Sequence, residues 1–305
     1  MQITKNSANC MIMHEYLTTK EVADLLRIKE RTLYELCAEG VLPVTRVTGK
    51  LIFPRATLMS WLRQNTDYGR NLPSLKDHPP IVAGSHDPLL AWAVRASGST
   101  LATYFNGSED GLRQMKAAQA LCAGIHFHAS DNTNANVVLT KSELPYESIV
   151  LIEWAKRNQG LVMRPELAGK CETVADIAGR KVIMRQKGSG SQVLFDSALR
   201  QAGLSRTDVE TVAEIARTES DAAQAIANGH ADVGFSIEAA ARQYRLAFVP
   251  LAVERFDLVI WRRDYFEEQM QRVLNFSRTE AFHRHAAELG GYDISGNGTV
   301  HYNGG

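Results

Sequence analysis

The feature that most constrains the fold is an alternation of strand-like and helix-like segments from residue 80 towards the C-terminus. Such alternation is typical of an α/β domain with a parallel sheet. The strand-like segments are Ile81-Val82-Ala83, Leu101–Phe105, Ile125–Phe127, Lys181–Met184 and Ala231–Ser236, and the helix-like segments are 87–97, 108–122, 190–202 and 237–244.

Two longer apolar segments, Ser148–Arg164 and Phe248–Arg262, interrupt this alternation. Each contains two short β-rich runs, so each can pass from one part of a domain to another. They divide the unit 80–305 into lobe I, about 80–150 and 248–305, and lobe II, about 151–247. Two lobes joined by two crossings imply a cleft between them.

A boundary is expected before residue 80. Residues 65–79 lack apolar periodicity and are rich in Gly, Asn, Pro and polar residues, which indicates a linker. A length of 305 residues also favours more than one domain. We therefore expect a first domain at 14–64 and a second at 80–305.

The first domain has the pattern of a helix-turn-helix. Thr18 and Glu21 form a capping-box pattern before the first apolar helix. After a short turn at residues 28–30, Leu33, Leu36 and Cys37 give a second helix its apolar face. Residues 44–47 and 51–53 are β-rich runs around a turn with Gly49, which predicts a hairpin, and a third helix follows Pro54.

Residues 16–62 resemble the excisionase and MerR-like winged helix-turn-helix family. The resemblance implies that the second helix enters the major groove of DNA, and that the hairpin acts as a wing beside the backbone. A three-helix protein-interaction module is the alternative. The expected DNA-binding residues are Lys29, Arg31, Thr32, Tyr34, Arg46, Lys50 and Arg55.

Seven motifs between residues 80 and 293 resemble a periplasmic-binding-protein-like domain. They are GSHDPLL, NGSEDGL, GIHFHASD, NQGLVMRP, RQKGSGSQVLFD, ADVGFSIEAAAR and VPLAVERFDLVI. Domains of this type follow helix-turn-helix domains in bacterial one-component regulators and are similar to molybdate-binding proteins. The resemblance implies the fold class, an α+β winged helix-turn-helix followed by an α/β two-lobed periplasmic-binding-protein-like domain. It also implies an oxyanion or molybdenum-linked ligand, with molybdate or tungstate as effector.

Three strand-to-helix junctions carry small residues, Gly84–Asp87, Gly107-Ser108 and Gly188–Ser191. Free amides and the positive end of a helix favour an anion at such a junction, although each junction is equally explained as ordinary turn and capping chemistry. Ligands of open α/β sheets bind beyond the carboxyl ends of the strands, so all three junctions can face the cleft. The expected ligand-binding residues are Ser85, His86, Gly107, Ser108, His126, Arg185, Gly188, Ser189, Gly190, Ser191 and Glu238.

His126 and His128 are expected to be structural, with His126 the one that can line the cleft, and Glu238 can equally serve the dipole of its own helix. Tyr292 is expected to pack as an aromatic. The four cysteines have no C-x-x-C spacing, which indicates neither a metal site nor a disulfide. No cofactor fingerprint or nucleophile–base pattern is visible, so no catalytic residue and no enzyme is expected.

Residues 1–70 carry ten basic and seven acidic residues, whereas the whole chain is neutral. A positive N-terminal part is expected if that part binds DNA. Without a signal peptide or an apolar span, the chain is expected in the cytoplasm. The prediction is a ligand-responsive transcription regulator that acts as a homodimer on double-stranded DNA and senses a small anion. The alternatives are an enzyme or ligand-binding protein of molybdenum-cofactor metabolism, and an excisionase-like architectural protein that bends DNA.

Overall fold

The computed structural model describes residues 15–47, 49–64, 78–127, 134–145 and 147–304. The chain divides into two units, Met1–Ser74 and Leu75–Gly305. Among the described helices, none is both long and apolar enough to cross a membrane. His128, for which the sequence predicts a structural role, lies outside the described residues.

The first unit contains a helix-turn-helix, a hairpin and a third helix, as predicted. Its elements are β1 (Tyr16–Thr18), α1 (Thr19–Leu26), α2 (Glu30–Ala38), β2 (Thr45–Val47), β3 (Lys50–Pro54) and α3 (Arg55–Gln64). The strand β1, which the sequence did not indicate, pairs with β3 to give the sheet order β1-β3-β2.

A capping box marks the start of the first helix, α1. The Thr18 side chain accepts a hydrogen bond from the Glu21 backbone, and the Glu21 carboxylate accepts one from the Thr18 backbone N–H at 2.7 Å. This capping box satisfies amides that the first turn leaves free. The helices pack over a small core with Val22, Leu33 and Phe53 at its centre, all of them fully buried.

The second unit begins with strands and helices in alternation. These elements are β4 (Ile81–Gly84), α4 (Pro88–Ala96), β5 (Ala102–Phe105), α5 (Ser108–Lys116), β6 (Cys122–Ile125), α6 (Ala135–Glu143) and β7 (Ile149–Met163). The helix that we expected through residue 122 ends at Lys116, because the apolar residues Cys122–Ile125 form a fully buried strand instead. A short apolar run can belong to either kind of element.

The rest of the unit is built in the same way. Its elements are β8 (Lys181–Arg185), α7 (Gly190–Gln201), β9 (Glu210–Ala216), α8 (Glu219–Ala227), β10 (Val233–Ile237), α9 (Glu238–Gln243), β11 (Ala247–Trp261), α10 (Arg262–Tyr265), α11 (Glu268–Phe276), α12 (Glu280–Leu289), β12 (Tyr292–Asp293) and β13 (Val300–Asn303).

One sheet runs through the second unit in the order β5-β4-β6-β11-β7-β10-β8-β9, with β12 and β13 also on β7. The pairs β4/β5, β4/β6, β8/β9 and β8/β10 are parallel, as expected. The strands β7 and β11 differ, because they run antiparallel to each other along their whole lengths. They correspond to the two predicted crossings.

The crossing strands define the two lobes. The C-terminal half of β11 pairs with β6, in the lobe that holds β4 and β5, and the C-terminal half of β7 pairs with β10, in the lobe that holds β8 and β9. We call these lobe I and lobe II. Each lobe has its own buried core, around Trp154 and Phe282 in lobe I and around Phe195 and Phe235 in lobe II. The strand ends of both lobes therefore meet beside β7 and β11.

Candidate functional site

The exposed face of α2 carries most of the predicted DNA contacts. Lys29, Thr32 and Tyr34 are exposed, and the Arg31 side chain is 90% exposed. The Arg31 Nε donates to the Glu35 carboxylate at 3.2 Å, one turn along the same helix. Exposed pairs of this kind contribute little to stability, so the guanidinium is free to exchange its partner for a phosphate or a base edge.

The wing residues differ from one another. Lys50 is exposed at the start of β3, whereas the Arg46 Nη2 donates to the Cys37 backbone carbonyl at 3.0 Å. Arg46 thus ties the hairpin to the last turn of α2. Arg55 is half-buried at the start of α3, and its buried Nε has no hydrogen-bond partner among the described residues.

A polar pocket of about 190 Å³ lies where the two lobes meet. The helix α5 starts beside it after Gly107, which offers no side-chain cap, and α7 starts beside it after Ser189. The pocket therefore faces the positive ends of one helix from each lobe. Its lining residues are Asn106, Gly107, Glu109, Asp110 and Arg113 from lobe I and Gln186, Lys187, Gly188 and Ser189 from lobe II.

Glycines let the lobes approach each other closely. A Cβ at Gly190 would lie 2.6 Å from the His126 backbone oxygen and 2.7 Å from its ring. A Cβ at Gly188 would lie 2.5 Å from the Glu109 carboxylate. A side chain at Gly190 would clash with the His126 backbone and push lobe II away from lobe I, whereas the Glu109 side chain could move away from one at Gly188.

A buried polar network lies beneath this pocket, and His126 is its first junction. The His126 Nε2 is 2.8 Å from the Ser85 Oγ, and its Nδ1 is 2.6 Å from the Glu254 carboxylate. The backbone N–H of His126 donates to the Ser108 Oγ, and its carbonyl accepts from the same hydroxyl. These contacts fix both the ring and the main chain of His126.

Arg157 is the second junction. It stands directly opposite Glu254 in the register of β7 and β11, and its Nε donates to the Glu254 carboxylate at 2.8 Å. Its Nη1 donates to Asp87 at 3.0 Å, and Asp87 also accepts from Trp154 and Tyr292. These groups lie on the crossing strands or at the start of α4, apart from Tyr292, which lies on β12 beside β7.

The network continues into lobe II. The Gln159 amide donates to Glu254 and to the Ser191 hydroxyl, which itself donates to Glu219 at 2.7 Å. Glu219 also accepts from Ser236 and lies 2.7 Å from the Arg185 guanidinium. Unbroken polar contacts therefore run from Ser85 in lobe I to Arg185 in lobe II.

Electrostatics keep the carboxylates ionised. Burial alone would raise the pKa of the Glu219 carboxyl, but Arg185, Arg157 and His126 lower it to about 2. Burial likewise opposes ionisation of Glu254, yet Arg157 and His126 hold its pKa well below the usual range. Burial lowers the pKa of His86 below its ordinary value, and its Nδ1 has no hydrogen-bond partner among the described residues.

The predicted ligand residues fall into three groups. Gly107, Gly188 and Ser189 line the pocket. The network beneath it includes Ser85, Ser108, His126, Arg185 and Ser191. Gly190 lies against His126, and the His86 carbonyl accepts a hydrogen bond from Arg157. Glu238 lies elsewhere, where its carboxylate accepts from Asn158 and pairs with Arg242.

Arg185 and Tyr292 have partners that the sequence did not suggest. The guanidinium that we expected to bind ligand donates to the backbone carbonyls of Ala216 and Arg217 and pairs with Glu219. The Tyr292 hydroxyl donates to Asp87 rather than packing only as an aromatic. The one sequence signal for this network is the presence of Arg157 and Glu254 inside otherwise strand-like segments, since buried charges are rarely left unpaired.

The described cysteines Cys37, Cys122 and Cys171 are buried and unpaired. Within the described ranges, no group of three or more His, Cys, Asp or Glu side chains could hold a metal ion.

Comparison with known proteins gives two family matches. Residues 91–278 match the PBP superfamily domain, and residues 16–66 match a Helix-turn-helix domain. The chain is 26% identical over 302 residues to the uncharacterized protein YvgK of Bacillus subtilis. The aligned region covers 93% of this chain and 96% of YvgK.

Solved structures with a similar fold include an ABC-type phosphate transport receptor from Vibrio cholerae, with 15% identity and a TM-score of 0.44 over 70% of this chain and 98% of that one. They also include the regulatory domain of MetR, a LysR family regulator from N. meningitidis, with 12% identity and a TM-score of 0.47 over 70% of this chain and 96% of that one.

Proposed function

The chain belongs to the family of the PBP superfamily domain, and because a helix-turn-helix domain precedes that domain, we propose a transcription regulator whose DNA affinity depends on a small anion bound between lobes I and II. The domains are of the regulator and binding-protein type. A protein that acts on duplex DNA in this way works in the cytoplasm.

The observation that carries the proposal is the interlobe pocket. Two helices begin at it, one from each lobe. Lys187 and Arg113 line it together with Glu109 and Asp110, and Arg113 pairs with Asp110, so the attraction for an anion comes from the helix starts and from Lys187. Helix starts attract anions through free amides and the helix dipole. An anion that contacts both helix starts favours the closed cleft over an open one, which is the differential affinity that gating requires.

The identity of the anion comes from the resemblance to molybdate-binding proteins, which favours molybdate or tungstate, or a ligand linked to the molybdenum cofactor. A tetrahedral oxyanion is smaller than the pocket of about 190 Å³, so the site has room for one. Two copies of the chain would read paired half-sites on DNA, as symmetric dimers do.

DNA recognition is tested by titrating labelled duplexes with the purified chain. We expect the DNA upstream of its own gene to bind more tightly than a random duplex of equal length, with an affinity that falls steeply as salt rises. Equal affinity for both duplexes at every salt concentration would contradict sequence-specific regulation.

Ligand binding is tested by thermal unfolding with molybdate, tungstate, sulfate and small carboxylates. A ligand held only by the folded state adds about 3 kcal/mol when it exceeds its Kd about 100-fold. Lys187→Ala should reduce this gain, whereas the control Lys181→Ala should not, because Lys181 is exposed beside Glu210 and away from the pocket. If no anion raises the unfolding temperature, the pocket is not an anion site.

A further inference from the structure

Ser85, His126 and Glu254 have the arrangement of a nucleophile, a base and an orienting carboxylate. The Ser85 Oγ lies 2.8 Å from the His126 Nε2, and the His126 Nδ1 lies 2.6 Å from the Glu254 Oε2. Hydrogen bonds on both ring nitrogens allow one nitrogen to accept a proton from serine while the carboxylate stabilises the resulting imidazolium. The sequence conceals this arrangement, because the three residues come from distant segments.

Neighbouring residues fix the positions of Ser85 and Glu254. Ser85 follows β4 at a sharp turn where Gly84 has φ of 101° and a Cβ would lie 2.1 Å from the Gly124 carbonyl oxygen. Glu254 accepts from Arg157 and from the Gln159 amide at 2.9 Å. The low pKa of Glu254, caused by Arg157 and His126 against the effect of burial, keeps this carboxylate charged.

The group borders the interlobe pocket. The backbone N–H groups of Asn106 and Gly107, which line the pocket, both donate to the Gly84 carbonyl next to Ser85. Ser108, in the first turn of α5, bonds to His126, and Gly190 lies against the His126 ring. Ser85 itself is only 2% exposed, so a ligand whose charged group is anchored at the start of α7 can place an adjacent bond near Ser85 when the lobes are further apart than in this structure.

We propose that Ser85 is a nucleophile for acyl transfer and that its substrates are small anionic esters or thioesters whose charged group sits at the start of α7. The Ser85 oxygen forms a bond to the acyl carbon, and the His126 Nε2 takes the hydroxyl proton. The ester or thioester bond then breaks, and His126 returns the proton to the leaving alcohol or thiol. Water attacks the acyl-serine with His126 as base, which releases the acid and restores Ser85.

This activity goes beyond ligand-dependent DNA binding and would remove the bound signal. The first-turn amides of α5, which no side chain caps, are the donors available to the oxyanion of the tetrahedral intermediate.

The direct test is covalent labelling of the full-length wild-type protein with a fluorophosphonate probe, followed by peptide mass spectrometry. Attack by Ser85 forms an oxygen–phosphorus bond and releases fluoride. We expect an adduct on the peptide that contains Ser85, and we expect denaturation to prevent it. Labelling elsewhere only, or no labelling, would overturn the proposal without requiring any variant to fold.

Kinetics with p-nitrophenyl acetate provide the second test. We expect Ser85→Ala to hydrolyse the ester only at the background rate. We expect Glu254→Gln to slow acylation about 10²- to 10⁴-fold. Ser97→Ala is the matched control, because Ser97 caps the other end of α4 and its hydroxyl donates to the Val94 carbonyl. Equal rates for wild type and Ser85→Ala would contradict the proposal, whereas ligand-dependent DNA binding would stand or fall separately.

Discussion

Arg31 and Arg46 lie in the same helix-turn-helix unit, but their guanidinium groups make different contacts. Arg31 is almost fully exposed on α2, whereas Arg46 donates to the Cys37 carbonyl and so ties the wing to that helix. Both residues were predicted from the sequence as DNA contacts. A sequence gives the charge of a residue and its place in a motif, but it does not give the partner of a long side chain.

We expect Arg31→Ala to weaken binding to specific DNA by about 1–3 kcal/mol without changing the unfolding temperature, since no buried partner is lost. Arg46→Ala should lower the stability of the first unit by about 1 kcal/mol through loss of a hydrogen bond. Fluorescence anisotropy and thermal unfolding on both variants check the pair. The reverse pattern would show that Arg46 is the DNA contact and Arg31 the structural one.

Elements that depend on neighbouring residues were predicted well. The capping box at Thr18 and Glu21 and the hairpin around Gly49 need only a few adjacent positions, and both are present. The buried network was missed because its contacts join residues from β7, β11, α7 and α8 with His126, which follows β6. The charges of Arg157 and Glu254 within strand-like segments are a local signal of burial, but they do not identify the partners that each residue contacts.

The crossing strands β7 and β11 carry the charge pair that joins the lobes. Arg157 is 1% exposed and contacts both Asp87 and Glu254, so Arg157→Leu would leave two buried carboxylates without their cation. Breaking a buried pair from one side costs about 3–5 kcal/mol. Urea unfolding should show a loss of that size.

The control for this prediction is the preceding residue on the same strand. Lys156 is 44% exposed and lies 3.9 Å from Asp293, so Lys156→Leu should change stability by less than about 1 kcal/mol. Comparable losses in the two variants would show that the Arg157 network does not stabilise the fold.

At the scale of the whole molecule, the network makes the second unit sensitive to acid. The folded-state pKa of Glu219 is about 2 against an ordinary value of 4.5, so its ionised form stabilises the fold above about pH 4.5. This contribution is lost as the pH falls from 4.5 through 2, because the folded carboxylate must then take up a proton.

We therefore expect wild type and Glu219→Gln to differ most in urea unfolding near neutral pH and to converge as the pH approaches 3. Gln keeps the size of the side chain but removes the charge that faces Arg185. A difference in stability that stays constant from pH 7 to pH 3 would show that folding does not lower the pKa of Glu219.

The central claim is that an anion between the lobes alters DNA affinity, and a single titration tests it most directly. The full chain is added to the labelled DNA upstream of its own gene, with and without saturating molybdate or tungstate at constant ionic strength. We predict that Kd changes about 5-fold or more, the usual size of a coupling between two sites. An unchanged Kd with an anion that demonstrably binds the protein would contradict the account.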